Sequence, residues 1–415
     1  METKGGLARA WPAFAAVLGE QQRLLRNMLC VPRVVGTALK TRVGTTPRTV
    51  VLEEGTHSLL HYTRETPATQ VEPVLLCYAL VNRPYILDLQ PDKSVVRQYL
   101  DRGFDVYMID WGAPSQADRG LTLDHYVSGF LARAVDFVRR KHDRPKLHLL
   151  GYCMGGTMAA LHGALQPDTL ATLTLLAAPI DFSGTESLLS LWTDRRTFDV
   201  NAFIDAHGNC PAWFLQSCFQ FMNPIRNFVD KALAFWEQMD DPNSIANHFA
   251  LERWLNDNIP VAGETFREFV SKLYQRNELV RGELRLGGRS IDLHCITCPL
   301  LLLTAKNDHL VAPASTEGIR PHVGSRDVTS MGMSAGHVGL VVGGKAHAKF
   351  WPEVMRWTAE RSTLVATPAS EARATPAADH PAAARRPRRR NEYEPVWWTN
   401  RTEYRNETSR PHGDR

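Results

Sequence analysis

The chain has 415 residues, 44% hydrophobic and 22% charged, which is typical of a globular protein large enough for more than one domain. Its net charge of +4 comes from 48 basic and 44 acidic residues, with an arginine cluster at positions 385–390. We therefore expect no nucleic-acid-binding surface on the folded part. The sequence shows neither a secretory signal nor an apolar stretch of membrane-spanning length, so we expect a cytoplasmic protein with no transmembrane segment.

The seven cysteines are widely scattered, which does not indicate a secreted disulfide framework. Cys295 and Cys298 have CxxC spacing, but no second cysteine pair or histidine cluster accompanies them. We interpret them as packing residues and expect no metal site and no cofactor.

The predicted elements begin with an amphipathic helix over Trp11–Leu29 and a β-hairpin over Thr49–Thr63 that turns at Gly55. Strand and helix patterns then alternate. The predicted strands are Val74–Leu80, Asp105–Trp111, Lys146–Leu150, Leu170–Ala178, Leu300–Thr304 and Asp327–Ser330. The predicted helices are Asp92–Arg102, Leu123–Arg140, Met154–Leu165 and Lys345–Glu360. This alternation predicts an α/β fold with a mostly parallel sheet and helices on both faces.

A composition change divides the chain into four predicted parts. Residues 1–47 form an N-terminal helical segment, and residues 48–180 with 296–361 form the catalytic core. Residues 181–295 interrupt the strand–helix alternation with a helical pattern rich in aromatic side chains, and we interpret them as a cap inserted into the core. Residues 362–415, rich in Pro, Ala and Arg, are predicted to be a disordered tail.

The segment from Leu147 to Gly156 places the pattern G-x-C-x-G between a predicted strand and a predicted helix. This is the context of a nucleophile elbow, with Cys153 in the position usually held by serine. Glycines two residues to either side allow the tight backbone crossing that the turn requires. The sequence therefore predicts Cys153 as a nucleophile, with the backbone N–H of Met154 as one oxyanion donor.

The partners of an elbow nucleophile follow it in the order acid, then histidine. Asp308 comes directly after the predicted strand Leu300–Thr304, and His337 lies in a loop of small residues before the last helix. We predict Asp308 as the acid and His337 as the base. His309 adjoins Asp308 and is either a functional group or a loop residue that shapes the site.

The second oxyanion N–H is expected from the loop after the strand Val74–Leu80. Val81 and Asn82 are both candidate donors in that loop, and the sequence does not separate them.

Taken together, several motifs resemble those of the polyhydroxyalkanoate synthases. They are Cys77-Tyr78-Ala79-Leu80-Val81-Asn82-Arg83-Pro84-Tyr85-Ile86-Leu87-Asp88-Leu89, Asp110-Trp111-Gly112, Gly151-Tyr152-Cys153-Met154-Gly155-Gly156, Thr304-Ala305-Lys306-Asn307-Asp308-His309 and Gly336-His337-Val338-Gly339. The resemblance implies an α/β-hydrolase fold and a Cys-His-Asp acyltransferase that condenses (R)-3-hydroxyacyl-CoA into polyester and releases CoA. It also implies association with a growing polyester granule.

Within that family, large single-subunit members carry a long N-terminal domain, whereas only residues 1–47 precede the predicted core here. The chain therefore resembles the short catalytic subunits that need an accessory subunit, and its motifs resemble class III, with class IV as the alternative. We also expect a homodimer, and 3-hydroxybutyryl-CoA as the substrate.

Two other interpretations remain open. A cysteine-dependent hydrolase, such as a thioesterase or a polyester depolymerase, uses the same elbow and the same three side chains. Whether hydroxybutyryl-CoA yields polymer or free acid separates that activity from a synthase. A non-catalytic granule scaffold is disfavoured by the intact set of Cys153, Asp308 and His337.

Overall fold

Short apolar runs form the centre of an eight-stranded sheet in the computed structural model, which describes residues 26–184, 188–222 and 235–365. The strands, including those of two small hairpins, are β1 (Arg48–Glu54), β2 (His57–Tyr62), β3 (Val74–Cys77), β4 (Asp88–Gln90), β5 (Lys93–Ser94), β6 (Val106–Asp110), β7 (Leu147–Tyr152), β8 (Leu170–Leu176), β9 (Arg285–Leu286), β10 (Arg289–Ser290), β11 (Leu300–Ala305) and β12 (Val328–Met333). The large sheet has the order β1-β2-β6-β3-β7-β8-β11-β12. Strand β2 is antiparallel to both of its neighbours, and the other neighbouring pairs are parallel.

Burial explains the continuous apolar sequences of the central strands. Every residue of β3, β7 and β11 is buried, as expected for parallel strands covered on both faces, whereas the edge strands β1 and β12 are partly exposed. The predicted α/β class and mostly parallel sheet are confirmed. The predicted β3 is three residues too long, because the chain leaves the sheet after Cys77.

Helices connect the parallel strands and also form the insertion between β8 and β11. Residues 26–40 form α1. The other α-helices are α2 (Val95–Asp101), α3 (Ala132–Lys141), α4 (Met154–Leu165), α5 (Leu188–Trp192), α6 (Val200–His207), α7 (Ala212–Phe221), α8 (Pro242–Asn256), α9 (Gly263–Glu268), α10 (Pro313–Glu317), α11 (Gly339–Val342) and α12 (Trp351–Ala359). π-Helical turns over His125–Leu131, Phe269–Tyr274 and Ala346–Phe350 adjoin α3, α9 and α12.

Short 3₁₀ turns complete the connections, at Pro84–Leu87, Gln116–Gly120, Pro167–Thr169, Leu293–Cys295 and Arg320–His322. Helix α4 begins and ends where the sequence predicts it. Across the described ranges, no helix is both long enough and apolar enough to cross a bilayer.

The N-terminal helix extends further than its predicted end at Leu29. Residues 1–25 lie outside the described residues, but residues 26–40 are helical. Cys30 and Val34 continue a buried stripe that packs against Met239 and Ile245 of the inserted segment. Packing against this segment extends the helix beyond the end indicated by sequence alone.

The first residues after the predicted boundary at Ser362 pack against the fold. Residues 362–365 lie along residues 69–72, with a β-bridge between Gln70 and Leu364. The Glu72 carboxylate accepts hydrogen bonds from the Ser362 hydroxyl and from the Thr363 hydroxyl and backbone N–H. Burial raises the pKa of Glu72, but these bonds outweigh it and lower the pKa overall. Residues 366–415 lie outside the described residues.

Two truncations test whether residues 362–365 stabilise the fold. A chain ending at Arg361 should melt roughly 2–4 °C below one ending at Val365, because it loses the bonds to Glu72. Since the pKa of Glu72 is lowered by folding, this difference should shrink as pH falls through that lowered pKa. Thermal melting at neutral and acidic pH measures both effects, with Glu72→Gln as a matched variant. Equal melting temperatures for the two truncations would show that residues 362–365 do not stabilise the fold.

Candidate active site

Cys153 lies in the turn between β7 and α4, at the carboxyl end of the parallel strands. Its φ of 55° and ψ of −128° are unusual for a non-glycine residue and indicate local strain. The turn is held in place because the Cys153 backbone N–H donates to the carbonyl of Leu176 in β8, at 2.9 Å. The side chain is partly exposed. This is the nucleophile-elbow geometry that the motif predicts.

Two glycines allow the backbone to approach closely at this turn. A β-carbon on Gly155 would overlap the carbonyl oxygens of Cys77 and Tyr78, where the chain leaves β3. A β-carbon on Gly151 would overlap the backbone of the first turn of α4. A larger side chain at either position would displace main-chain atoms. This explains why the G-x-C-x-G pattern has glycine at both positions.

His337 and Asp308 reach Cys153 from the loops after the two neighbouring strands β12 and β11. The Nδ1 atom of His337 lies 2.7 Å from Oδ2 of Asp308, and both side chains are buried. The other carboxylate oxygen, Oδ1, accepts the backbone N–H groups of Leu310 and Val311, at 2.8 and 2.9 Å. Asp308 is thus fixed by its own loop, and His337 lines the same cavity as Cys153 and interacts with it electrostatically.

The electrostatics of the three residues favour a protonated histidine. Burial lowers the pKa of His337, but the charge of Asp308, the neighbouring Cys153 and the hydrogen bond to Asp308 raise it to about 10. A protonated imidazole is therefore stabilised beside the Asp308 carboxylate at neutral pH.

Sequence reasoning missed two tyrosines that support this arrangement. The ring of Tyr152 stacks on the imidazole of His337 with centroids 5.0 Å apart, and its hydroxyl donates to the His337 carbonyl at 3.3 Å. Tyr78 packs against Tyr152, and the indole N–H of Trp111 donates to the Tyr78 carbonyl at 2.8 Å. Tyr152 adjoins the nucleophile in sequence, but its contact with His337 depends on a long-range fold.

A cavity of about 450 Å³ opens above these residues. Cys153, His337 and all three candidate oxyanion residues line it; these three are Met154, Val81 and Asn82. His309 lines it as well, next to Asp308. The cap segment covers the opposite side, mostly with apolar and aromatic side chains, among them Trp192, Phe214, Phe219, Phe269 and Tyr274.

The predicted CxxC pair takes no part in this site. Cys295 is exposed, whereas Cys298 is buried at the start of β11. In the part of the chain that the structure describes, no cluster of three or more His, Cys, Asp or Glu side chains is placed to hold a metal ion.

Two family models match the chain. One, described as alpha/beta hydrolase fold, matches residues 72–328. The other, described as the N-terminus of poly-beta-hydroxybutyrate polymerase (PhaC), matches residues 33–100.

Curated relatives match over most of the chain. The poly(3-hydroxyalkanoate) polymerase subunit PhaC of Allochromatium vinosum is 37% identical over 348 residues, which cover 82% of this chain and 98% of the relative. The proteins of the same name from Haloarcula marismortui and Haloferax mediterranei are 40% and 42% identical, over 84% and 79% of this chain. These matches cover 77% of the Haloarcula protein and 66%, just under two thirds, of the Haloferax protein.

The similarity to the Allochromatium protein extends over nearly the whole length of that relative. The PhaC match begins at residue 33, before the hydrolase match, and the two share only residues 72–100. Both point to the same group of acyltransferases built on an α/β-hydrolase fold. This chain therefore belongs to the poly(3-hydroxyalkanoate) polymerase family.

Proposed function

We propose that this protein polymerises (R)-3-hydroxyacyl-CoA, with 3-hydroxybutyryl-CoA as the favoured substrate, and releases CoA. The observation that carries the proposal is the hydrogen-bonded pair of His337 and Asp308, with His337 lining an apolar cavity together with Cys153 on its elbow. Membership of the polymerase family supports the same reaction, because the relatives named above carry polymerase names.

In the first step of the proposed reaction, Cys153 takes the acyl group from CoA. Its sulfur bonds to the acyl carbon while the bond from that carbon to the CoA sulfur breaks, and His337 gives its proton to the departing thiolate. The product is again a thioester, so the acyl group keeps its reactivity for transfer to a hydroxyl. A serine nucleophile would store the group as a less reactive ester.

In the second step, the 3-hydroxyl oxygen of another hydroxyacyl group attacks the acyl carbon on Cys153. A base takes the hydroxyl proton, an ester bond forms, and the carbon–sulfur bond to Cys153 breaks to restore the thiolate. His337 is one candidate base, oriented by Asp308, and Asp308 is the other. The two loop N–H bonds to Asp308 support an orienting role, since they hold its carboxylate in a fixed position.

In both steps the carbonyl oxygen becomes negatively charged. Met154 begins α4, so its backbone N–H lies at the helix N-terminus and is a natural oxyanion donor. Val81 or Asn82 would supply the second N–H from the loop after β3, and both residues line the cavity. Aromatic side chains of the cap segment support transfer rather than hydrolysis, since they limit water near the thioester.

The proposed assembly includes an accessory subunit, a second copy of the chain and the growing polyester granule in the cytoplasm. Helix α1 supports a partner contact because it has two different faces. Asn27, Cys30 and Val34 are buried against the cap segment, whereas Met28, Leu29, Val31, Val35 and Leu39 are exposed. Leu29 and Leu39 are 83% and 84% exposed, and an apolar row of this kind is typical of an interaction surface.

Replacement of Cys153 tests the nucleophile. Cys153→Ala should abolish both acyl-enzyme formation and polymer formation, and Cys153→Ser should retain slow acylation but lose elongation. Mass spectrometry of the protein after mixing with 3-hydroxybutyryl-CoA, together with polymer analysis, measures both steps. Cys218→Ala is the matched control, because Cys218 lines the same cavity away from the elbow. Incorporation by Cys153→Ala at a good fraction of the wild-type rate would contradict the assignment, and free acid from the wild type would indicate a hydrolase.

The roles of His337 and Asp308 are separable by alkylation of Cys153 with iodoacetamide. Because the raised pKa keeps His337 protonated at neutral pH, this cation beside the sulfur should favour the reactive thiolate, and alkylation at pH 7 should be faster than that of an ordinary thiol. In His337→Gln the rate at pH 7 should fall roughly 10–30-fold and rise with pH as for an ordinary thiol.

Asp308→Asn should affect elongation more than alkylation if Asp308 deprotonates the hydroxyl. Equal losses in both assays would instead indicate that Asp308 only orients His337. A flat alkylation profile in His337→Gln would show that the histidine does not control the thiol.

The exposed face of α1 is tested with the accessory subunit present and absent. The chain alone should show a low rate and a long lag, and the added subunit should shorten the lag and raise the rate. The double variant Leu29→Ser, Leu39→Ser should lose this activation without a change in melting temperature. Val50→Ser, an exposed apolar residue on β1, is the control. Full activity of the lone wild-type chain would refute the two-subunit assignment.

A further inference from the structure

Asn82 is a buried polar residue beside the nucleophile. It follows β3 by five positions, is only 6% exposed and lines the cavity together with Cys153 and Met154. The loop around it is held in place, because the indole N–H of Trp254 donates to the carbonyl of Arg83 at 2.8 Å. The backbone that carries Asn82 is therefore held in place beside the cavity.

The carboxamide of Asn82 is incompletely bonded. Its Oδ1 atom is buried and has no hydrogen-bond partner within the residues that the structure describes. Buried carbonyl oxygens are normally bonded, and an unbonded one is unfavourable. His148 and His347 also have an unpartnered ring nitrogen, but burial lowers the pKa of each to about 4 and neither lines the cavity. Asn258 also has a buried Oδ1 atom without a partner among the described residues and lines the cavity, but it lies in the cap segment, where its Nδ2 donates to the Leu255 carbonyl. Asn82 instead lies in the loop after β3 that carries the candidate oxyanion donors.

Backbone conformation alone does not account for this residue. Asn82 has a φ of 63°, and asparagine tolerates such angles better than most residues. Asn277 also has a positive φ, but there Oδ1 accepts the Phe182 N–H and Nδ2 donates to Asp181. The carboxamide of Asn277 is thus bonded at both ends. Asn82 differs from it because its Oδ1 atom has no partner among the described residues and the residue lines the cavity.

We propose that the Asn82 carboxamide binds the 3-hydroxyl group of the hydroxyacyl chain and so selects hydroxyacyl over unsubstituted acyl thioesters. The inference rests on the proposed function for the class of substrate. An acceptor oxygen needs a donor, and the 3-hydroxyl is the donor nearest to the thioester carbonyl, which itself only accepts. The carbonyl oxygen is expected at the N–H groups of Met154 and the loop after β3. A side chain of that same loop is therefore well placed for a hydroxyl two carbons away.

The variant Asn82→Gly tests this role, because glycine keeps both the positive φ and the backbone N–H while removing the carboxamide. The measurement is kcat/KM for the first release of CoA from 3-hydroxybutyryl-CoA and from butyryl-CoA, with the full-length chain. The preference for the hydroxylated substrate should fall about tenfold, which is typical for the loss of one hydrogen bond. Asp143→Gly, at a remote exposed position with a φ of 49°, is the matched control and should keep the preference.

A second variant, Asn82→Asp, keeps an oxygen that accepts the hydroxyl and should retain more of the preference than Asn82→Gly. Because the readout is a ratio, a general loss of activity from the added charge cancels. An unchanged ratio in Asn82→Gly, an equal loss in both variants, or a wild type that does not discriminate would each overturn the inference. Both a polymerase and a thioesterase release CoA, so the ratio of CoA-release rates can be measured for either activity. Formation of free acid in place of polymer would therefore refute the proposed function without deciding the role of Asn82.

Discussion

The close approach of three main-chain segments around Cys153 is the constraint on which the site depends. The end of β3, the end of β7 and the first turn of α4 lie so near one another that Gly155 leaves no space for a β-carbon. This contact is what holds Cys153 at a positive φ, where the thiol projects from the top of the sheet instead of continuing the strand. The same contact brings the loop with Asn82 to Cys153, so the elbow and the candidate oxyanion donors are parts of one arrangement.

The remaining active-site groups follow from the parallel sheet. Strands β11 and β12 are neighbours and run in the same direction as β7, so their carboxyl-end loops lie at the same edge as Cys153. Asp308 and His337, 29 residues apart in sequence, meet there at 2.7 Å. Burial of this charged pair is tolerated because the carboxylate accepts two backbone N–H groups as well as the imidazole. The backbone N–H groups of the loop after β11 thus stabilise the buried charge of Asp308.

Sequence alone predicted what depends on local pattern. Periodicity, turn residues and motif order were enough to predict the hairpin with its turn at Gly55, the parallel strands and both ends of α4. They were also enough to predict where Cys153, Asp308 and His337 lie relative to the strands. It did not predict features created by distant contacts. The extension of α1 depends on Met239 and Ile245, the order of residues 362–365 depends on Glu72, and the stacking of Tyr152 on His337 joins residues 185 positions apart. In each case the local sequence gives no signal, because the contacting residue is distant in sequence and comes near only when the chain folds.

The position of α1 connects the proposed partner surface with the active site. Its buried stripe packs against Ile245 in the first half of α8, while Trp254 and Leu255 in the second half of the same helix line the cavity. The helix is thus separated from the substrate space by one element of the cap segment. A protein bound to the exposed face of α1 would restrain α8, and through Trp254 it would also restrain the carbonyl of Arg83, next to Asn82. Stabilising this chain of contacts is a physical route by which the proposed accessory subunit would raise activity without contributing a catalytic group of its own.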